Sequence, residues 1–136
     1  MLQALEDIGR GKLYTIDINP KVVSLAPEEL RLGWRFVKGS LRQRPRNLLL
    51  SIESVDIFFH DSEHSYENMM FEFKTVWPFL TNGGALLSHD TDLNAAFEEF
   101  SQEVSAQPIY LGRKFRMGAI KKTKSLKKNK ISAHVV

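Results

Sequence analysis

Apolar and polar positions alternate along the chain in short blocks that change period, and the blocks predict alternating strands and helices. Leu2 to Ile8 carries a short helical stripe stopped by Gly9 and Gly11. Lys12 to Ile18, β-branched and aromatic and ended by Asn19-Pro20, predicts a strand. A helix is expected over Lys21 to Leu32, with Ala26-Pro27 able to break it in two, and the next strand is Trp34 to Lys38. Residues 42–52 predict a short helix with Pro45 in its first turn, where a missing N–H costs least. Val55 to Phe59 is a continuous apolar run, the pattern of a strand buried on both faces.

The longest helical period runs from Tyr66 to Leu80 through Met69, Met70, Phe73, Val76, Trp77 and Leu80. Ser65 can act as its N-cap, and Asn82-Gly83-Gly84 is expected to end it. Ala85 to Ser88 then predicts a strand and Leu93 to Val104 a helix. Pro108 to Leu111 and Phe115 to Lys121 predict an antiparallel hairpin turned at Gly112-Arg113-Lys114. Strands alternating with helices define an α/β fold, a mostly parallel sheet with helices on both faces and an antiparallel hairpin at the end. No internal repeat is present.

With 136 residues and 43% hydrophobic side chains, the chain has the core of one domain. It shows neither a membrane-length apolar run nor the basic and apolar regions of a signal peptide, so the expected location is the cytoplasm. The absence of cysteine excludes disulfides, thiolate zinc sites and cysteine nucleophiles, and any metal must bind to His and carboxylates. The net charge of +3 is a property of the end of the chain: setting aside Lys121, Lys122, Lys124, Lys127, Lys128 and Lys130 leaves 13 basic against 16 acidic residues. Residues 1–120 are therefore expected to form the domain and 121–136 a basic, solvated, disordered tail. No aromatic or glycine residues interleave with those lysines, which argues against nucleic-acid binding.

In open α/β sheets ligands bind outside the carboxyl ends of the strands. Four such ends are polar: Asp17, Gly39-Ser40, His60-Asp61 with Glu63 and His64, and His89-Asp90. Each has a local explanation. Asp17 can form a turn with Asn19-Pro20; Asp61 and Glu63 can sit at a helix N-terminus; His64 can bond backbone; His89-Asp90 can cap the helix near Leu93.

Taken together, Val55-Asp56-Ile57-Phe58-Phe59-His60-Asp61-Ser62-Glu63-His64-Ser65-Tyr66-Glu67, Leu80-Thr81-Asn82-Gly83-Gly84 and Ser88-His89-Asp90 form a pattern. It resembles the fourth-strand and fifth-strand motifs of class I S-adenosylmethionine-dependent methyltransferases, in the group related to metal-dependent sugar and natural-product O-methyltransferases. Leu13 to Pro20 extends the likeness more loosely. The resemblance implies a Rossmann-like methyltransferase sheet and S-adenosylmethionine as cofactor. It makes Asp17 the acid that bonds the ribose hydroxyls, places Gly39 and Ser40 beside the adenine, and puts Asp61 against the cofactor as well. Many relatives carry an acid where this chain has Ser40.

The same resemblance implies a divalent cation, Mg²⁺ or another, held by Asp61, His89 and Asp90, with His89 standing where some relatives have a carboxylate. Glu63 or His64 would be the catalytic general base, and Glu63 is favoured because it occupies the position of an acid given that role in sugar-methylating relatives. The methyl acceptor would be a small hydroxylated molecule. The family's first strand and glycine-rich loop should precede Leu2 to Ile8, and the sequence shows neither. That leaves a fragment, direct pairing of the family's second and fourth strands, or a strand donated by another subunit of a homo-oligomer. It also leaves a catalytically inactive interaction or oligomerisation module as the alternative function.

Overall fold

The computed structural model describes residues 1–43, 45–114 and 116–123. Phe115, expected to open the final strand, and all of the expected tail beyond Thr123 lie outside the described residues. Helix α1 (Leu2–Ile8) ends at Gly9, whose left-handed backbone (φ 70°) turns its N–H back to the carbonyls of Leu5 and Glu6. Strand β1 (Leu13–Asp17) pairs in parallel with β2 (Trp34–Lys38), from Leu13 opposite Trp34 to Asp17 opposite Lys38. The connection breaks at Ala26-Pro27 as expected, yet both pieces are 3-10 turns, Pro20–Leu25 and Glu28–Gly33, and not α-helix. Each piece is six residues long, the first closed off by Pro27, and tighter turns satisfy so short a stretch of backbone where α-helix nucleation is costly.

Helix α2 (Pro45–Ile52) begins on its proline. Beyond it come β3 (Val55–His60), α3 (Tyr66–Val76), β4 (Leu80–Ser88), α4 (Ala96–Glu103), β5 (Ile109–Leu111) and β6 (Met117–Lys121). The four strands form a sheet in the order β3-β4-β6-β5, parallel between β3 and β4 and antiparallel elsewhere. The α/β class with its antiparallel C-terminal hairpin is thus as the sequence predicts.

Several boundaries differ. Ser65 caps α3 by accepting the Asn68 N–H at 3.3 Å, but the helix stops at Val76 and a 3-10 turn, Trp77–Phe79, carries Pro78, whose ring and missing N–H cannot continue the α pattern. Asn82-Gly83-Gly84 falls inside β4, where the pairing slips between Val55 opposite Leu80 and Ile57 opposite Ala85. Gly84 is required there, since a Cβ would meet the Asp56 carbonyl oxygen at 2.8 Å. Likewise α4 starts at Ala96, where Asn94 Oδ1 accepts the Ala96 N–H at 2.9 Å.

The main core lies between α3, α4 and one face of the four-stranded sheet. Met69, Phe73, Leu80, Leu86, Ala96, Phe97, Phe100 and Ile120 are all buried in it, with Phe73 set edge-on to Phe97. Gly118 is fixed by this packing, because any Cβ there would run into the Phe97 ring. The expectation that Val55 to Phe59 is buried on both faces does not hold: Ile57 is 55% exposed and Phe59 37% exposed. One side of β3 carries the core-facing Phe58 and His60, and the strand lies at the sheet's edge.

The other edge strand, β1, belongs to a separate two-stranded sheet, so the family's second and fourth strands do not pair directly. The two sheets are joined through side chains. Ile16 of β1 and Val55 and Phe58 of β3 pack on a small cluster of Leu41, Leu49 and Val76. Lys121 closes β6, and the Lys122 ammonium donates to the carbonyls of Trp77 at 2.7 Å and Leu80 at 2.8 Å, so these two lysines belong to the folded body.

Candidate functional site

The carboxyl end of β1 and that of β2 meet at Asp17 and Gly39-Ser40, where the Gly39 N–H donates to the Asp17 carbonyl at 3.0 Å. Gly39 has φ 140°, a conformation open to glycine, and its bare Cα faces Gln43 Oε1. Asp17 Oδ1 accepts the Asn19 N–H at 2.7 Å, so the turn-forming role is present. A carboxylate has further acceptor capacity, and Asp17 beside a glycine turn fits the ribose end of the implied cofactor.

Arg42, which the sequence reading passed over, ties this end to the next. Its guanidinium donates to Asn68 Oδ1 and to the Glu67 carbonyl, each at 3.0 Å, and lies over the Phe71 ring 4.5 Å from the centroid. The turn after β2 is thereby fastened to the first turn of α3, beside the carboxyl end of β3.

At that end the chain builds a buried polar network. His60 is 1% exposed and its Nδ1 lies 2.8 Å from Glu72 Oε2; Ser62 Oγ donates to Glu72 Oε1 at 3.0 Å, and the Asn68 amide donates to the same oxygen at 3.3 Å. Asn68 also donates to Ser62 Oγ and to the Glu63 carbonyl. One carboxylate from α3 therefore fixes the backbone of residues 60–63 through three donors. Asn68 and Glu72 are four apart and border the apolar stripe of α3. That i, i+4 pair of polar residues beside core positions was the available signal.

On this platform Asp61, His64 and His89 each bring one ligating atom within 4.8 Å of the others. His89 Nδ1 lies 3.6 Å from Asp61 Oδ1 and 3.2 Å from Asp90 Oδ2. His64 sits between two imidazoles, with ring centroids 5.2 Å from His60 and 6.3 Å from His89. Three polar atoms in the neighbourhood are buried without a hydrogen-bond partner among the described residues: His60 Nε2, His64 Nε2 and Asp90 Oδ1. Asp90 also holds a left-handed backbone, φ 50°, uncommon outside glycine although tolerated best by Asp and Asn.

Glu63 stands apart, exposed, accepting the Ser65 O–H at 2.7 Å. Asp90 is adjacent to His89 but outside the group of three, and His64 is in it. The gathered donors are one carboxylate and two imidazoles. Mg²⁺ takes oxygen ligands in an octahedron, so the magnesium site implied by the family does not fit these residues. Two clefts open elsewhere, around α1 and the 3-10 turns, lined by residues such as Leu2, Leu30 and Trp34 or Glu6 and Gly11, and none of the rim residues lines either.

A parallel βαβ arrangement with a charged rim at the strand ends, a glycine turn beside an acid, and an acid–histidine cluster on the next strand is the layout of a Rossmann-like methyltransferase. The methyltransferase-domain profile matches residues 1–91, and the chain belongs to that family. No curated protein sequence matches it. Among solved structures, a crystal structure of a Corynebacterium glutamicum protein superposes with a TM-score of 0.53 at 16% identity, covering 82% of this chain and 61% of that one. The likeness shows the shared fold, and the chain spans about three fifths of that structure's length. Among the described residues no helix is long and apolar enough to cross a membrane.

Proposed function

We propose that this methyltransferase domain uses S-adenosylmethionine to methylate the oxygen of a small hydroxylated acceptor. The observation that carries the reading is the fastened rim. Asp17 and Gly39 meet at the ends of β1 and β2, and Arg42 in the turn beyond them is fastened to the first turn of α3, where Asn68 bonds the loop that presents Asp61, Glu63 and His64. Bound there, the sulfonium cofactor supplies an electrophilic methyl group. Asp17 takes the ribose hydroxyls, Gly39 and Ser40 border the adenine, and Asp61 faces the cofactor from β3. The Glu63 side chain, exposed and outside the buried network, would accept the hydroxyl proton of the acceptor whose oxygen takes the methyl group. The Glu72 network holds that loop still, so the base is positioned before the acceptor arrives.

Isothermal titration of the protein with S-adenosylmethionine or its demethylated product tests this reading. A saturable heat at one site per chain is expected, lost in Asp17→Ala; no heat at millimolar ligand overturns it.

A second reading is favoured by one observation, the edges of β1 and β3, unpaired among the described residues, together with exposed Ile57 and Phe59. On it the domain is catalytically silent and uses that edge to join a partner. Absence of cofactor heat together with a dimer in sedimentation that Phe59→Asp dissolves would support this second reading over the first.

A further inference from the structure

We propose that Asp61, His64 and His89 form a site for a borderline transition ion, Zn²⁺, Co²⁺ or Ni²⁺, in place of a magnesium site. The inference concerns metal binding alone and stands whether or not the chain transfers methyl groups. Three independent observations carry it. The first is convergence: donors from the end of β3, the loop before α3 and the end of β4 come within 4.8 Å of one another. An ion with bonds of about 2.1 Å sets tetrahedral donors about 3.4 Å apart. The Asp61 side chain, 57% exposed, has the freedom to close that difference.

The second observation is unmet polarity. His64 Nε2 and Asp90 Oδ1 are shielded from solvent with no hydrogen-bond partner among the described residues. A buried polar atom without a partner costs about 1–3 kcal/mol, and a cation held by this group satisfies the His64 imidazole. The third is donor type. Two imidazoles and a carboxylate with open positions suit zinc, cobalt and nickel, whereas magnesium selects oxygen and keeps its waters. His60 lies outside the set, because the converging donors are those of Asp61, His64 and His89. The same Glu72 network, by fixing residues 60–63, supplies the supporting contacts that hold metal ligands in place.

The test uses the full chain stripped with a chelator. Titration calorimetry with ZnCl₂ and with MgCl₂ should give one zinc site at least about a hundredfold tighter than magnesium. His64→Ala and His89→Ala should each weaken zinc by about tenfold or more. His134→Ala, which removes the only other histidine besides His60, should leave the affinity unchanged. Nitrogen-15 shifts of the histidine rings provide a readout that does not depend on variants folding: zinc should move His64 and His89 and spare His60. Magnesium binding as tight as zinc, zinc binding that survives both histidine substitutions, or zinc shifts confined to His134 would overturn the proposal.

Discussion

The two ends of the chain are built to different standards. Between Met1 and Ser40 not one residue is buried; Ile18, Leu25 and Leu32 are 72%, 82% and 97% exposed, and two parallel strands stand as a sheet by themselves. From β3 onward, three aromatic rings and five further apolar side chains close a core at or near complete burial. An isolated strand pair is marginal in water, and parallel pairing is weaker per residue than antiparallel. The chemistry of the rim follows this division. The acid–histidine cluster is mounted on the well-packed portion, and the residues proposed to hold the cofactor's nucleoside end on the lightly packed one. A ligand that binds the latter stabilises it by mass action, so order there depends on occupancy.

The contrast can be broken by matched core deletions. Phe73→Ala removes a ring with no exposed surface and should cost about 3–5 kcal/mol in urea unfolding, while Trp34→Ala, whose indole N–H bonds only Thr15 Oγ1 at 2.9 Å, should cost about 1 kcal/mol or less. Equal losses would show one cooperative core and defeat the comparison. Glu72→Ala comes next: it strands His60, Ser62 and Asn68 without their shared acceptor and should cost about 3 kcal/mol. The zinc affinity should fall with it, since the loop carrying Asp61 and His64 loses its anchor.

The smallest effect is electrostatic. The Tyr66 hydroxyl donates to Glu99 at 2.6 Å, tying α3 to α4, and that bond, with nearby carboxylates, pushes the phenol above its ordinary pKa of 10.0. The fold therefore favours the protonated phenol. Its contribution is complete below pH 10 and fades as the pH rises through the elevated value. Tyr66→Phe should lower stability slightly and evenly through the neutral region and flatten the alkaline limb of stability against pH. An unaltered alkaline limb would show that the bond contributes nothing.

Much of the fold was legible because periodicity and punctuation agree. Trp34–Lys38 and Leu2–Ile8 emerge with the bounds the pattern implies, and Ser65 caps the helix it precedes. The misreadings share a cause. Gly83-Gly84 resembles a helix stop in sequence, yet Pro78 acts first, and the glycines serve a slip in strand register that only pairing reveals. The apolar run Val55 to Phe59 cannot announce which face a neighbour covers. At the site, Asp61, His89 and Asp90 were readable as strand-end residues. The roles of Asn68, Glu72 and Arg42 were not, because a polar residue on a helix or loop reads as solvent-facing until something buried is found opposite it.

Arg42 has a further consequence. Its guanidinium spans 26 residues of sequence to reach Asn68 and, from the same planar group, the carbonyl of Glu67. Pulling the turn after β2 away from the rest thus requires breaking bonds at the first turn of α3. The arginine makes the boundary between the stronger and weaker parts a shared hinge pin, so a fluctuation begun among the outer strands is felt where the rim residues are mounted.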